Sequence, residues 1–296
     1  MRITFIGLGE AAGAIISGWG PRHQSRIAAF DIKSLDLETA GEIGARAEAL
    51  SVQAHDTREA ALAGAELVFS TVTADQAVAA AEACAPLLPE GAVWCDLNSC
   101  APASKARAAA IVTGAGRRYI DVAVMAPVFP KQNLVPCLIS GPEAEALAPV
   151  LADLPMNVRV VGDKVGRASS IKLVRSIMVK GLEALTAECT LAAMAAGVGD
   201  EVFPSLKAGS PHLDVPERAA YNFERSLVHG IRRAAEMEEV AKMLSDLGLP
   251  NGMAAATAGW QARLGAADVV LPDDPAAADH LWFARAILQD FGVEPG

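Results

Sequence analysis

Short runs of apolar residues alternate with alanine-rich stretches over the first half of the chain, up to about residue 162. The alanine-rich stretches are typical of helices, and the continuous apolar runs are typical of parallel strands that are covered on both faces. We therefore predict a doubly wound, mostly parallel α/β sheet. The predicted strands are 2–6, 26–30, 66–72, 92–96, 119–124, 137–140 and 158–161, and the predicted helices are 11–18, 57–63, 75–87, 101–112 and 142–152.

The strand pattern stops in the second half of the chain. A helical pattern with few breakers covers 168–196, and a stretch rich in glycine and proline at 197–216 is predicted to be a loop. A second long helix is predicted at 217–247, and two more alanine-rich helices follow it. We therefore predict two domains, an α/β domain at 1–165 and an all-α domain at 166–296, joined by the first long helix.

The composition excludes several classes of protein. The 296 residues carry a formal net charge of −10, which disfavours nucleic acid and anionic lipid as partners. The mean hydropathy of +0.29 comes from alanine, since no window of about 18 residues is apolar and free of charge. The amino-terminal residues are typical of a first strand and not of a secretion signal, so we expect a cytoplasmic protein. The five cysteines form no CxxC pair and the five histidines are scattered, so we predict neither disulfides nor a metal site.

A glycine-rich turn follows the first predicted strand and opens a helix. Gly7 permits the tight turn, Gly9 lets the backbone approach a diphosphate, and Ala12 is small enough for close packing of the helix. Asp31 ends the second strand, where a carboxylate would accept the ribose hydroxyls; this favours NAD over NADP, although Lys33 lies close. The alternative is a glycine turn in another kind of α/β protein. The predicted cofactor-binding residues are Gly7, Gly9, Glu10, Ala11, Ala12, Asp31, Thr71, Val72, Thr73 and Asn98.

Two further segments place polar residues where such a sheet would bind a ligand. Ser99 follows Asn98 at the end of a strand, and Pro102 opens the next helix; both features are also ordinary helix-capping chemistry. The second segment, Gly162–Lys172, is rich in small residues and ends on a lysine in the long helix. Taken alone, such a lysine is more often solvent-exposed than functional.

Together with the glycine turn, these segments resemble those of the β-hydroxyacid dehydrogenases, which include the 6-phosphogluconate dehydrogenase-like proteins. The stretch 229–237 resembles the subgroup with a DUF1932-type helical domain. The resemblance implies a Rossmann domain followed by a helical domain for substrate binding and dimerisation. It also implies that Lys172 is the catalytic general acid/base and that Ser99 acts beside the nicotinamide and the substrate.

The chain departs from the family pattern in the loop that binds the substrate carboxylate. Met125 stands where the family has serine, and Ala126 and Pro127 replace two glycines; proline has no N–H to donate. A donor could instead come from Lys131–Asn133. Helical spacing places Arg175 and Ser176 on the face of Lys172, where a neighbouring cation would lower the pKa of the lysine. The predicted substrate-binding residues are Ser99, Val124, Met125, Ala126, Arg175, Ser176 and His229.

A basic patch on the later helix has two interpretations. Helical spacing places three or four of its residues on one face: Arg225, His229, Arg232 and Arg233. This face would either bind an anion, such as a carboxylate or phosphate, or form ion pairs with glutamates.

We expect an NAD(P)-dependent oxidoreductase that acts on a hydroxy acid or a related alcohol or carbonyl compound, and we expect it to be a homodimer. The alternatives are an imine reductase with the same fold and a non-catalytic nucleotide-binding protein. The presence of Lys172 argues against an imine reductase, since those proteins commonly carry an acid or tyrosine at this position.

Overall fold

The computed structural model describes residues 1–21, 26–209, 214–275 and 278–294. The chain divides into two compact units, Met1–Leu173 and Val174–Gly296. The first unit therefore includes the beginning of the long helix. The predicted domain boundary at residue 165 stays a prediction.

Within the described residues, the first unit contains an eight-stranded sheet in the order β3-β2-β1-β4-β5-β6-β7-β8. Neighbouring strands are parallel except for β6 and β7, which are antiparallel. The order reverses between β1 and β4, and parallel sheets bind ligands beyond the carboxyl ends of the strands at such a point. The strands are β1 Ile3–Ile6, β2 Ile27–Phe30, β3 Gln53–Ala54, β4 Leu67–Ser70, β5 Val93–Asp96, β6 Arg118–Val124, β7 Cys137–Ser140 and β8 Val158–Val160.

Most residues of β1, β2, β4, β5 and β7 are apolar because every residue of these strands is buried. Successive residues of β4 alternate between two apolar clusters: Leu67 and Phe69 belong to one cluster and Val68 to the other. Phe5 of β1 stacks on Phe69 with 5.1 Å between ring centroids, and Trp19 packs against both rings. The predicted Rossmann-type sheet is confirmed.

Helices cover this sheet close to where the sequence predicts them, with one omission. The helix α2 was not predicted because two glycines interrupt it and only Ile43, Ala47 and Leu50 are buried. The helices of this part of the chain are α1 Glu10–Trp19, α2 Ala40–Leu50, α3 Arg58–Leu62, α4 Ala77–Cys84, α5 Pro102–Gly114 and α6 Ala144–Asp153.

The remaining described elements are helices, as predicted for the second half. They are α7 Arg167–Ala195, α8 Gly199–Gly209, α9 Val215–Asp246, α10 Gly252–Gly265 and α11 His280–Asp290. The backbones of α9 and α10 meet at two glycines: a Cβ atom on Gly230 would lie 2.3 Å from the Gln261 carbonyl oxygen, and one on Gly265 would lie 2.5 Å from the Ile231 nitrogen. Among the described helices, none has the length and apolar character needed to cross a membrane.

The prediction of a loop at 197–216 is wrong for most of that stretch, because α8 occupies Gly199–Gly209. Pro204 indicates a break in the helix, yet proline in the second turn removes one intrahelical hydrogen bond and the helix continues through it. Asp200 and Glu201 lie in the first turn, where acidic side chains interact favourably with the helix dipole. Residues 210–213 lie outside the described part of the chain.

Candidate active site

The glycine turn after β1 is fixed by steric contact with the end of β4. Gly7 has a φ of +92°, and a Cβ atom there would lie 2.7 Å from the Thr71 carbonyl oxygen. The Thr71 hydroxyl in turn donates a hydrogen bond of 2.7 Å to the Gly7 carbonyl. Only glycine fits this position, because the turn needs both a left-handed backbone and a close approach.

The amino-terminal end of α1 is open. Gly9 is its N-cap and offers no side chain to the first-turn N–H groups, which have no acceptor within the helix. A Cβ atom on Gly9 would meet nothing within 4 Å, whereas Ala12 is fully buried against the sheet. Glu10 and Ala11 lie in the same first turn. Open N–H groups at a helix terminus form a favourable site for a phosphate group.

Asp31 ties the end of β2 to the glycine turn. Its Oδ2 atom accepts a hydrogen bond of 2.7 Å from the Leu8 N–H, and its Oδ1 atom accepts one of 3.0 Å from the Lys33 N–H. Arg46 of α2 donates to the Leu8 carbonyl at 2.8 Å and pairs with Glu42. A cation therefore lies at the same turn as the acid. Sequence reasoning missed Arg46 because it missed the helix that carries it.

Lys172 and Ser99, which are 73 positions apart in sequence, meet in the first unit. The Lys172 Nζ atom donates a hydrogen bond to the Ser99 hydroxyl, and both residues are half-buried. Ser99 follows the carboxyl end of β5, and Lys172 lies in the second turn of α7. The structure thus brings together the two residues to which the family resemblance assigns catalytic roles.

The turn that carries Ser99 is held by two strands. The Asn98 N–H donates a hydrogen bond of 2.9 Å to Asp96 Oδ1, and the Asn98 side-chain nitrogen donates one of 2.9 Å to the Ser70 hydroxyl at the end of β4. Asn98 Oδ1 is buried and accepts no hydrogen bond from any described residue. A buried acceptor in this state is costly for the protein alone, and it fits a site that receives a donor from a ligand. Val72 is half-buried and Thr73 is exposed just beyond β4.

The first turn of α7, which leads to Lys172, is bound by Asp121 of β6. Asp121 Oδ2 accepts hydrogen bonds from the N–H groups of Gly166 at 3.1 Å and Ser169 at 3.0 Å, and from the Ser140 hydroxyl at 3.3 Å. Asp121 Oδ1 accepts one of 2.6 Å from the Ser169 hydroxyl. A carboxylate at this end of a helix interacts favourably with the helix dipole.

A lysine that sequence reasoning missed lies between the two aspartates. Lys105 is fully buried, and its Nζ atom lies 2.8 Å from Asp96 Oδ1 and 3.3 Å from Asp121 Oδ1. Burial alone would lower the pKa of Lys105, but the two carboxylates outweigh it and raise the pKa above its ordinary value. Tyr119 completes the group with a hydrogen bond of 2.8 Å to Asp96 Oδ2. The alanine-rich context of Lys105 gave no signal for this position.

Polar groups in the loop after β6 form hydrogen bonds with other backbone groups of the protein. The Met125 N–H donates to the Pro136 carbonyl at 2.8 Å, and the buried Asn133 side chain donates to the Pro155 carbonyl at 2.8 Å. Asn133 is therefore not the free donor that was proposed from the sequence. Val124 and Ala126 are half-buried, and Lys131 is exposed.

The other predicted substrate residues lie in the second unit and differ in their surroundings. Arg175 is exposed, whereas Ser176 is buried and accepts a hydrogen bond of 3.4 Å from Lys180. His229 is half-buried. Arg175 therefore lies on the exposed side of α7 and Ser176 on its buried side, so the two residues have different environments.

The predicted basic patch is largely divided into separate ion pairs. Arg233 is buried and pairs with Glu183, and Arg232 lies 2.9 Å from Glu236. Arg225 lies over the ring of Tyr221, 5.7 Å from its centroid. This arrangement favours the ion-pair interpretation over an anion-binding face.

Comparison with known families agrees with this geometry. The model of the NAD binding domain of 6-phosphogluconate dehydrogenase matches residues 2–162, which is more than half of the chain. The chain belongs to this family. A second model, the domain of unknown function DUF1932, matches residues 193–264. The resemblance drawn from the sequence is thereby confirmed for both parts of the protein.

Solved structures show how far this 6-phosphogluconate dehydrogenase-like architecture extends. A conserved hypothetical protein from Sinorhizobium meliloti is 36% identical, with a TM-score of 0.73 over 98% of this chain and 96% of its own. A 3-hydroxyisobutyrate dehydrogenase from Mycobacterium tuberculosis is 16% identical, with a TM-score of 0.71 over 98% and 99%. A reductive aminase from Aspergillus terreus in complex with NADPH is 19% identical, with a TM-score of 0.56 over 88% and 92%. The fold is that of the 3-hydroxyacid dehydrogenases.

The residues of this family member fit the dinucleotide that the family binds. The open space beside Gly9 would receive a diphosphate at the start of α1, and Asp31 lies where the adenosine ribose would follow. The buried acceptor of Asn98, next to Ser99, would meet the amide N–H of a nicotinamide.

Proposed function

We propose that this protein is an NAD(P)-dependent oxidoreductase that acts on a carbon bearing a hydroxyl group or its carbonyl counterpart. The observation that carries the proposal is the hydrogen bond between Lys172 and Ser99 beside the carboxyl end of β5. It joins an amine, which can exchange a proton, to a hydroxyl, which can orient an oxygen, in the region where such folds bind the nicotinamide.

The bound dinucleotide would supply or accept the hydride. The chain itself handles the proton: Lys172 Nζ takes it from an alcohol oxygen during oxidation and returns it to a carbonyl oxygen during reduction. The Ser99 hydroxyl holds that oxygen beside the amine. Both side chains are half-buried, so they are reachable by a substrate and partly shielded from water.

NAD is the cofactor that we expect the protein to prefer. The Asp31 carboxylate would accept the ribose hydroxyls and repel a 2′-phosphate. Arg46 contacts the same turn and moderates this repulsion, so NADP binding is weaker but measurable.

We propose that the substrate is a hydroxy acid or a related alcohol whose anionic group, if present, is not held by the loop after β6. The support is the internal hydrogen bond of the Met125 N–H and the absence of an N–H on Pro127.

The experiment is a panel of 3-hydroxy acids and 1,3-diols, followed by absorbance at 340 nm with NAD and NADP in parallel. Turnover that Lys172→Met abolishes would support the proposal. No turnover with any member, together with tight cofactor binding, would instead support a non-catalytic nucleotide-binding protein.

A reductive aminase or imine reductase is the second candidate, because the Aspergillus enzyme shares the fold. Consumption of NADPH that needs both a ketone and an amine would favour it. An ordinary oxidation of an alcohol that depends on Lys172 would exclude it as the main activity.

We also propose that the protein is a homodimer. Residues Val174, Met178, Leu182 and Leu185 of α7 repeat at helical spacing and are all exposed. A continuous apolar stripe of this kind is typical of a surface that a second copy covers.

A further inference from the structure

The three fully buried charged residues Asp96, Lys105 and Asp121, here called the Lys105 cluster, connect the two residues of the candidate active site. We propose that the Lys105 cluster is a positioning device that sets the separation of Ser99 from Lys172. The inference rests on the proposed function, in which that pair handles the proton.

One arm of the cluster leads to Ser99. Asp96 Oδ1 accepts hydrogen bonds from Lys105 at 2.8 Å and from the Asn98 N–H at 2.9 Å. Lys105 also donates to the Asp96 carbonyl at 2.6 Å. The residue before Ser99 is therefore bound to the same carboxylate that binds the lysine, so Ser99 has little freedom to shift.

The other arm leads to Lys172. Asp121 binds the N–H groups of Gly166 and Ser169 and the hydroxyl of Ser169, and Ser169 precedes Lys172 by less than one helical turn. Gly166 also lies close to the start of α5, since a Cβ atom there would be 3.0 Å from Pro102 Cβ. The start of α7 is therefore fixed to the sheet at the distance that lets the Lys172 side chain meet Ser99.

Energetics favour a positioning role over a purely stabilising one. Buried ion pairs are often no more stable than apolar residues of the same volume, because burial of charge is costly. Here two carboxylates share one lysine, and the remaining negative charge faces the amino-terminal end of α7. Such an arrangement specifies directions of hydrogen bonds, which an apolar core would not.

The test compares two neighbouring serines of the same helical turn. Ser169→Ala removes the 2.6 Å hydrogen bond to Asp121. The matched control, Ser170→Ala, removes a 2.7 Å hydrogen bond to the Gly166 carbonyl and leaves Asp121 untouched. The measurement is the rate of acylation of Lys172 by acetic anhydride at fixed pH, quantified by peptide mass spectrometry relative to the exposed Lys164.

We expect Ser169→Ala to raise the acylation rate of Lys172 about fivefold, the factor by which loss of one ordinary hydrogen bond changes an equilibrium. The buried Lys180, further along α7, reports on general loosening of the helix and should keep its rate relative to Lys164. Equal rates for Lys172 in the wild type and in Ser169→Ala would overturn the proposal. A parallel rise at Lys180 would also overturn it, since that result indicates general loosening of the helix.

A second variant, Asp121→Asn, weakens all the hydrogen bonds between Asp121 and the start of α7. If Asp121→Asn does not fold, Ser169→Ala still tests the proposal. With an active substrate, kcat should fall more in Ser169→Ala than in Ser170→Ala, while the Kd for NADH stays constant because the glycine turn is unchanged. If no substrate is found, the proposed function fails, but the acylation rates still decide whether the cluster positions Lys172.

Discussion

The Asp31 carboxylate accepts a hydrogen bond of 2.7 Å from the Leu8 N–H, so the acid at the end of β2 is bound to the glycine turn that follows β1. Together with the hydrogen bond from the Lys33 N–H, this contact orients the carboxylate toward the place where an adenosine ribose would lie. If the proposed dinucleotide binds at this turn, the position of Asp31 predicts a preference for NAD over NADP that can be measured.

Asp31→Ala should relax that preference. Loss of the carboxylate removes both the repulsion of a 2′-phosphate and an acceptor for the ribose hydroxyls, so the ratio of the Kd for NADPH to that for NADH should fall about tenfold, or about 1.4 kcal/mol. Fluorescence titration of both cofactors measures the ratio. Glu38→Ala, an exposed acid nearby, is the control. The same ratio in Asp31→Ala and wild type would limit Asp31 to a structural role.

Substitution of the two glycines of the turn by alanine should have different effects, one on stability and the other on cofactor binding. Gly7→Ala should lower the free energy of unfolding by about 1–3 kcal/mol, because the position combines a positive φ with a close carbonyl. Gly9→Ala should unfold like the wild type, since the new methyl meets nothing, but should weaken NADH binding by occupying the space of the diphosphate. Chemical denaturation and cofactor titration separate the effects. Undiminished NADH affinity in Gly9→Ala would contradict the assignment of the phosphate site.

Lys172→Met should remove the proton transfer and leave the cofactor site intact. General acid/base groups contribute about 10²–10⁴ in rate, so kcat should fall by that factor while the Kd for NADH stays constant. Lys164→Met, at an exposed lysine just before α7, is the matched control and should retain its activity. Wild-type turnover in Lys172→Met would remove this residue from the mechanism.

Most of the thiols should be unreactive in the folded protein. Burial raises the pKa of Cys84 and Cys137 to about 12 and raises that of Cys95 well above its ordinary value. At pH 8 these thiols are protonated, and the thiolate is the reactive form. Cys100 is also buried, whereas Cys189 is only half-buried. Ellman's reagent should therefore detect at most Cys189 rapidly in the native protein and all five thiols in guanidinium; rapid reaction of several native thiols would contradict the packing.

The apolar stripe on α7 should control association. Met178→Lys combined with Leu182→Lys places two charges on the exposed stripe, so the light-scattering mass should change from two chains to one. Arg175→Lys, which changes neither charge nor apolar area on the same helix, should keep the mass of two chains. A wild-type mass of one chain would refute the dimer.

Most of the sheet could be predicted from local sequence because its longer strands are largely buried and apolar, whereas the exposed, two-residue β3 gives no such pattern. The meeting of Lys172 with Ser99 followed from family resemblance, and the position of Ser99 followed from its place at a strand end. Neither α2 nor α8 was predicted from the sequence, since Gly44 and Pro204 weaken the local helical signal, and α2 also depends on the packing of Ile43, Ala47 and Leu50.

The hydrogen bonds and ion pairs between polar side chains that are distant in the sequence could not be predicted. Nothing near Lys105 indicates that two aspartates, 9 positions before it and 16 after it, point at its amine. In the same way, Asn133 looks like a free donor until the fold places the Pro155 carbonyl against it. Pairings of this kind depend on the order of the strands in the sheet, which the local pattern of apolar and polar residues does not predict.

The two strands that end the sheet are short: β3 has two residues and β8 has three. A border of that length exposes few unpaired N–H and C=O groups, so it offers little template for a strand from another chain. Pairing of two copies through a continued sheet, and fibril-like stacking through these borders, are therefore disfavoured. We therefore expect self-association to use the helices, in which case the amide I infrared band shows no added intermolecular sheet as the concentration rises.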